Sequence, residues 1–264
     1  MDWPVREGRL VSNFGGSDRG IPLVGDAFAS PGPVYPAEVG KLVFVHDPAH
    51  PAVRFPSPLG SWMAVDHGEN MVGIYGRFED RRGAPPAMVE RNTVLANAGK
   101  TGWTEQSGLY FSFFDRKERR WVNPALLLAG REDTIPPVIR QVELRSAAGT
   151  PYNPAQIQRL PQGLYTVFVD ASDSAAGETN LAPNRLSCSI NGVEAGALSF
   201  ETLVSREGRR MVYRQGLVPA EGVYDGRGFG LGEIRLSRGQ VTIVVEARDM
   251  AGNSRGVTYR LSVD

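Results

Sequence analysis

His46, His50 and His67 are the only histidines in 264 residues. Imidazole is the commonest ligand of a catalytic zinc, which takes about three protein ligands and keeps one position open. His46 and His50 stand four apart, a spacing that shares one face of a helix. Pro48 between them removes a backbone donor and argues instead for a loop after the apolar run Leu42–Val45. His67 follows Asp66 at the end of a second apolar run, Trp62-Met63-Ala64-Val65. A zinc site rebuilt from these three is the sharper reading. Three unrelated histidines is the plainer one, and no metal or other cofactor is expected.

Gly108-Leu109-Tyr110-Phe111-Ser112-Phe113 alternates as a strand does, so positions 108 and 110 point to one face. Two side chains so placed suit a two-histidine site, but here they are glycine and tyrosine. Tyr75-Gly76-Arg77-Phe78 adds a guanidinium, which stays charged at any relevant pH. Two unit charges at about 4 Å interact by about 4 kcal/mol at an effective dielectric near 20, and a divalent ion doubles that. An inward Arg77 therefore opposes a metal. A phenol and a guanidinium suit recognition of a carboxylate or of a protein partner; the plainer role for Arg77 and Tyr110 is to plug a cavity. Trp103, in the loop before Gly108, forms a wall of the same cleft or packs in the core.

Other chemistries lack their signatures. Ser112 has no histidine beside it, and no Gly-x-Ser-x-Gly elbow occurs. Gly226-Arg227-Gly228-Phe229-Gly230 is glycine-rich but precedes no helix, and is predicted to be a flexible hairpin rather than a phosphate loop. Asp170, Asp173 and Asp249 suggest calcium, but their spacing matches no dedicated loop. Cys188 is the lone cysteine; in Leu186-Ser187-Cys188-Ser189-Ile190 it reads as an inward, buried thiol.

The elements that must position these groups are short alternating runs broken by Gly, Pro, Asn and Asp, which is the pattern of an all-β protein. Ala125–Leu128 after Pro124 is the one candidate for a helical turn, and Arg116–Arg120 reads as a solvated hairpin tip. The stretch Gly130–Pro137 marks a boundary, giving a first domain over 1–132, a linker over 133–137 and a second domain over 138–264. Seven strand candidates in the second half, among them Val138–Leu144, Gly163–Asp170, Arg185–Ile190 and Gln240–Asp249, fit an immunoglobulin-like sandwich. Asp249-Met250-Ala251-Gly252-Asn253 reads as the turn before its last strand. With 29 basic and 29 acidic residues the chain has no electrostatic reason to bind nucleic acid or an anionic membrane. No apolar stretch reaches transmembrane length, and Met1-Asp2-Trp3-Pro4 lacks the tract of a signal peptide.

Over residues 7–130 five motifs stand in the order found in the lysostaphin/LytM-type zinc endopeptidases, which hydrolyse bacterial cell walls. They are Gly8–Gly15, Pro33-Val34 with Gly40–Phe44, Trp62–Gly68, the pair of strands around Arg77 and Tyr110, and Val122-Asn123-Pro124. The chain resembles that family, with a LytM-like β-rich first domain. The resemblance puts Arg77 at one family histidine and Gly108 and Tyr110 at two others. The family's His-x-x-x-Asp falls on Ile21 and Gly25, or on Asp26 after a one-residue shift; His67 lies near the groove without being a ligand. "Gly-Leu-Tyr-Phe…Val-Asn-Pro" further resembles degenerate LytM domains that bind or activate wall hydrolases. The resemblance thus implies a non-catalytic envelope module with peptidoglycan or a cell-wall hydrolase as partner. Its expected groove residues are Arg77, Tyr110, Gly108, His67 and Trp103, and its expected setting is the periplasm or cell envelope, with any signal or lipid anchor upstream of this chain. The alternatives are a zinc endopeptidase with irregular ligands and a purely structural envelope protein.

Overall fold

The computed structural model describes residues 1–18, 20–50, 55–79, 85–174, 180–225 and 228–264, with Asp18 described by its backbone alone. Among the described residues the chain is all-β: the helical elements are short 3-10 turns. One of them, Pro124–Leu126, is the predicted turn after Pro124; Asn123 caps it, its Oδ1 accepting from the Ala125 N–H at 3.1 Å. No helix among the described residues is long and apolar enough to cross a membrane. The chain divides into two compact units, one of Met1–Phe14 with Val24–Arg131, the other of Gly15–Leu23 with Glu132–Asp264.

The first unit is built on an antiparallel sheet. Its strands run, side by side, Gly40–His46, Ser61–Asp66, Met71–Phe78, Leu109–Asp115, Asp26–Ala29 and Arg9–Ser12. Alternation sets the faces. Leu109, Phe111 and Phe113 are fully buried and meet Tyr75, Met63, Val65 and Phe28 in the core. Tyr110 falls on the other face, opposite Gly76 on one side and Ala27 on the other.

The Met71–Phe78 strand departs from regularity at one residue. Ser61 pairs with Phe78 and Trp62 with Gly76, which leaves Arg77 without a partner position. Arg77 takes φ of 69°, the left-handed region, as a bulge residue does. Its N–H donates to Leu59 O at 2.7 Å and its carbonyl accepts from Gly99 N–H at 2.8 Å, so the bulge is held from both sides. On a regular strand Arg77 would share the core face with Tyr75. The extra residue turns Phe78 inward in its place.

Among the described residues the second unit carries two larger sheets beside the two-stranded pair Ser17–Asp18 with Ile21–Pro22. One orders Pro151–Tyr152, Val138–Ser146, Gly163–Ser172, Gly228–Leu236 and Tyr224–Asp225, all antiparallel. The other runs through Leu217–Pro219, Arg209–Tyr213, Val193–Arg206, Arg185–Ile190, Gly239–Arg248 and Ser254–Val263, and ends on Arg159–Leu160 in parallel. Alternate residues of both are buried, including Leu144, Val167, Val169, Leu186, Cys188, Ile243 and Val245. Cys188 is inward as its alternation indicates, and burial pushes its thiol up to about 11. The Asp249 turn forms as read: Oδ1 accepts from Gly252 N–H at 2.7 Å and Asn253 N–H at 2.9 Å, with Gly252 at φ of 97°.

The glycine-rich segment is a hairpin arm: Tyr224–Asp225 pairs antiparallel with the start of Gly228–Leu236, Asp225 opposite Gly228 and Tyr224 opposite Phe229. Gly226 and Arg227 lie outside the described residues; the strand Gly228–Leu236 itself was not expected. The glycines serve close packing. A Cβ at Gly228 would press on the Val169 carbonyl of the neighbouring strand.

Candidate functional site

The bulge decides where Arg77 goes. Displaced from the core face, its guanidinium carbon lies 5.8 Å from the centre of the Tyr110 ring. It lines a cleft of about 290 Å³ together with Trp103, Thr104, Glu105, Gln106 and Ser107. Trp103 is 75% exposed, so it walls this cleft and is not core. Arg77 Nε is buried without a hydrogen-bond partner, and among the described residues no carboxylate pairs with the guanidinium. Burial lowers its pKa from the ordinary arginine value, and Tyr110 partly opposes this. The result is a desolvated cation, not matched by a fixed anion, at the wall of an open cleft.

The two glycines of the site are filled positions. A Cβ at Gly108 would overlap the carbonyl oxygen of Phe28 on the adjacent strand. A Cβ at Gly25 would lie 2.8 Å from Tyr110 Oη and 2.7 Å from Ser112 Cβ, and would overlap the Phe111 carbonyl. Tyr110 thus occupies the space that any longer side chain at 25 would enter. Ser112 beneath it is fully buried, its Oγ without a partner. Asp26, the shifted alternative, is 2% exposed and accepts from Phe14 N–H at 2.8 Å. Burial pushes its carboxyl up to about 7, against the lowering effects of that hydrogen bond and of Arg131.

The histidines are engaged elsewhere. His46 is buried at a strand end, with Nδ1 2.8 Å from Gly60 O and Nε2 3.3 Å from Phe55 O. His67 does not line the Arg77 cleft. Its Nδ1 lies 3.2 Å from Val39 O and its Nε2 2.9 Å from Tyr75 Oη, which itself accepts from Ala37 N–H at 2.8 Å. Because the Val39 carbonyl can only accept, the neutral ring is assigned its proton on Nδ1, and Nε2 then accepts from Tyr75 Oη. Burial lowers the pKa of His67, which favours this neutral form. No group of three ligating side chains among the described residues contains a histidine.

These positions do not fit the zinc ion that the family resemblance implies. Two of its ligand positions have no room for a side chain, a third carries a phenol packed over glycine, and a guanidinium stands beside them.

In the second unit, Asp133, Asp173 and Asp249 bring their carboxylate oxygens within 4.8 Å of one another. Asp133 replaces Asp170 in the expected trio, because Asp170 is paired with Arg140 at 3.0 Å. Burial and then the neighbouring Asp249 and Asp133 push Asp173 up to about 6.

Sequence reasoning missed Glu105, Gln106 and the bulge. The first two are a polar run beside an exposed tryptophan, legible only once Trp103 is known to face solvent. The bulge had a signal: the inward aromatics Tyr75 and Phe78 are three apart, where a regular strand places them two apart.

A protein-family model matches residues 136–264 of this chain. No curated protein matches it. Among solved structures the chain is similar to a variant of the catalytic domain of the prophage-encoded M23 protein EnpA from Enterococcus faecalis. The identity is 16%, over 42% of this chain and 84% of that one, at a TM-score of 0.36. It is also similar to LytU, with 20% identity over 42% of this chain and 75% of the other, at a TM-score of 0.33. A third similarity is to the antimicrobial peptidase lysostaphin from Staphylococcus simulans, with 14% identity over 86% of this chain and 87% of that one, at a TM-score of 0.36.

Proposed function

We propose that this chain is a non-catalytic module of the bacterial cell envelope, in which a vestigial peptidase groove binds peptidoglycan or a cell-wall hydrolase. The five ordered motifs over residues 7–130 support the family reading, and the closed glycine positions support a non-catalytic one. The observation that carries the reading is the space at Gly108 and Gly25: a Cβ at either position would run into the neighbouring strand, so the former metal site is built over and not merely short of ligands. What stays open is the cleft beside it, walled by Arg77 and Trp103. In this reading residues 133–137 link to an immunoglobulin-like sandwich over 138–264, and the protein works in the periplasm or elsewhere in the envelope.

Co-sedimentation with purified peptidoglycan, and pull-down against envelope hydrolases, test the proposal. Retention in one of the two, without peptide-bond cleavage, is the expected result. Release of cleaved wall peptides that stops on chelation would restore the endopeptidase reading. Retention in neither would leave the purely structural one.

A further inference from the structure

We infer that the Arg77 cleft takes a single carboxylate, borne by a short peptide whose apolar flank lies on Trp103. The inference rests on the reading of the cleft as a binding site and adds the chemical group that it holds.

Three features of the site converge on this ligand. The first is a guanidinium set in the cleft wall and paired with no carboxylate among the described residues, its Nε closed off from solvent. A carboxylate matches the outer fork of a guanidinium with two parallel hydrogen bonds. The second is backbone geometry. Arg77 sits at φ of 69°, a conformation that L side chains adopt reluctantly, and it is held there by Leu59 O and Gly99 N–H. Such strain persists where the surroundings over-determine it, and here it lifts the guanidinium off the core face into the cleft. The third is the rest of the wall. Trp103 offers a planar apolar surface at 75% exposure, and Thr104, Gln106 and Ser107 offer neutral polar groups.

Charge narrows the choice of anion. Among the lining residues Arg77 is the one cation, and Glu105 adds a negative charge to the rim. A dianionic phosphate would meet one positive charge and one negative. A monoanionic carboxylate meets the same Glu105 with half the charge, and Arg77 can neutralise it. The cleft, at about 290 Å³, holds on the order of ten waters, which suits a dipeptide and not a polymer. The carboxylate has two possible sources, the end of a peptide chain or an acidic side chain along it.

Calorimetric titration of the whole chain with Ala-Ala, with Ala-Ala-amide and with Ala-Glu-amide separates them. Inorganic phosphate serves as the competing anion. Arg77→Gly is the central variant, because glycine keeps the left-handed backbone while the guanidinium is removed; Trp103→Ala removes an exposed ring without touching the core. The expected result is binding of Ala-Ala or Ala-Glu-amide, according to source, at least tenfold tighter than Ala-Ala-amide and phosphate. That margin is lost in Arg77→Gly and reduced in Trp103→Ala, with both variants melting as the parent does. Equal binding of Ala-Ala and its amide, binding unaffected by Arg77→Gly, or no binding of any peptide overturns the inference. Retention on peptidoglycan in that last case would leave the broader proposal standing and remove only its carboxylate anchor.

Discussion

Replacing Asp26 by asparagine should stabilise the protein, and should do so only above acid pH. Asp26 is buried in the strand Asp26–Ala29, and its carboxyl is pushed from the ordinary 3.8 up to about 7. That rise is a factor of roughly a thousand in proton affinity, or about 4 kcal/mol. The native state holds the proton more tightly than the unfolded chain does, so the slope of stability against pH is negative between these values. Below about pH 4 both states are protonated and Asp26 imposes no penalty. As pH rises through the folded value of about 7, the full penalty of a buried carboxylate develops. Asparagine keeps an oxygen for the Phe14 N–H and carries no charge. Urea unfolding at pH 4, 5.5, 7 and 8 is the assay. Because Asp173 is raised in the same direction, the quantity to follow is the difference between Asp26→Asn and parent. That difference should be within about 1 kcal/mol at pH 4 and grow to as much as about 4 kcal/mol in favour of the variant by pH 8. A difference that is flat with pH, or that favours the parent at pH 8, would refute the argument from burial; the second outcome would mean that Arg131 outweighs desolvation.

Other substitutions test the neighbouring positions. Gly108→Ala places a methyl on the Phe28 carbonyl and should lower stability by at least about 2 kcal/mol in the same denaturation assay. Tyr75→Phe removes the acceptor of the Ala37 N–H and the donor to His67, and should destabilise by about 2 kcal/mol; an NMR pH titration should also show the environment of His67 changed. Protein purified without added metal should contain far less than one zinc per chain by elemental analysis. Near-stoichiometric zinc lost in His46→Ala or His67→Ala would show that the histidines do converge.

Much of the first unit was legible because alternation is a strong signal. Leu109, Phe111 and Phe113 announce a buried face, and Tyr110 by exclusion the other one. The role of Arg77 was only half legible. Its proximity to Tyr110 could be anticipated from the paired motifs, but on a regular strand it would have faced the core; one extra residue in the pairing reverses the side, and periodicity assumes no extra residues. His67 shows the opposite limit. Sequence position put it near a groove, whereas its ring nitrogens are spent on Val39 and Tyr75, hydrogen bonds between segments far apart in the chain. The Gly228–Leu236 strand was hidden because glycines usually punctuate, and here they admit a neighbouring carbonyl instead. Asp133 joined Asp173 and Asp249 from a segment read as linker, a contact that no local spacing encodes.

The occupied space at Gly25 and Gly108 has an evolutionary consequence. Each position is locked by a different neighbour, the Phe111 carbonyl with Ser112 and Tyr110 for one and the Phe28 carbonyl for the other. A mutation that introduced a ligand at either place alone would meet a destabilised fold before it met a metal. The Phe111 carbonyl would have to shift, and Tyr110 to change, before 25 could carry a side chain, and the Phe28 strand would have to shift before 108 could. On the proposed reading, a return to a metal centre would require several coordinated changes with no benefit along the way, so that drift would act as a ratchet, leaving the cleft free to be elaborated with no single-step path to a metal.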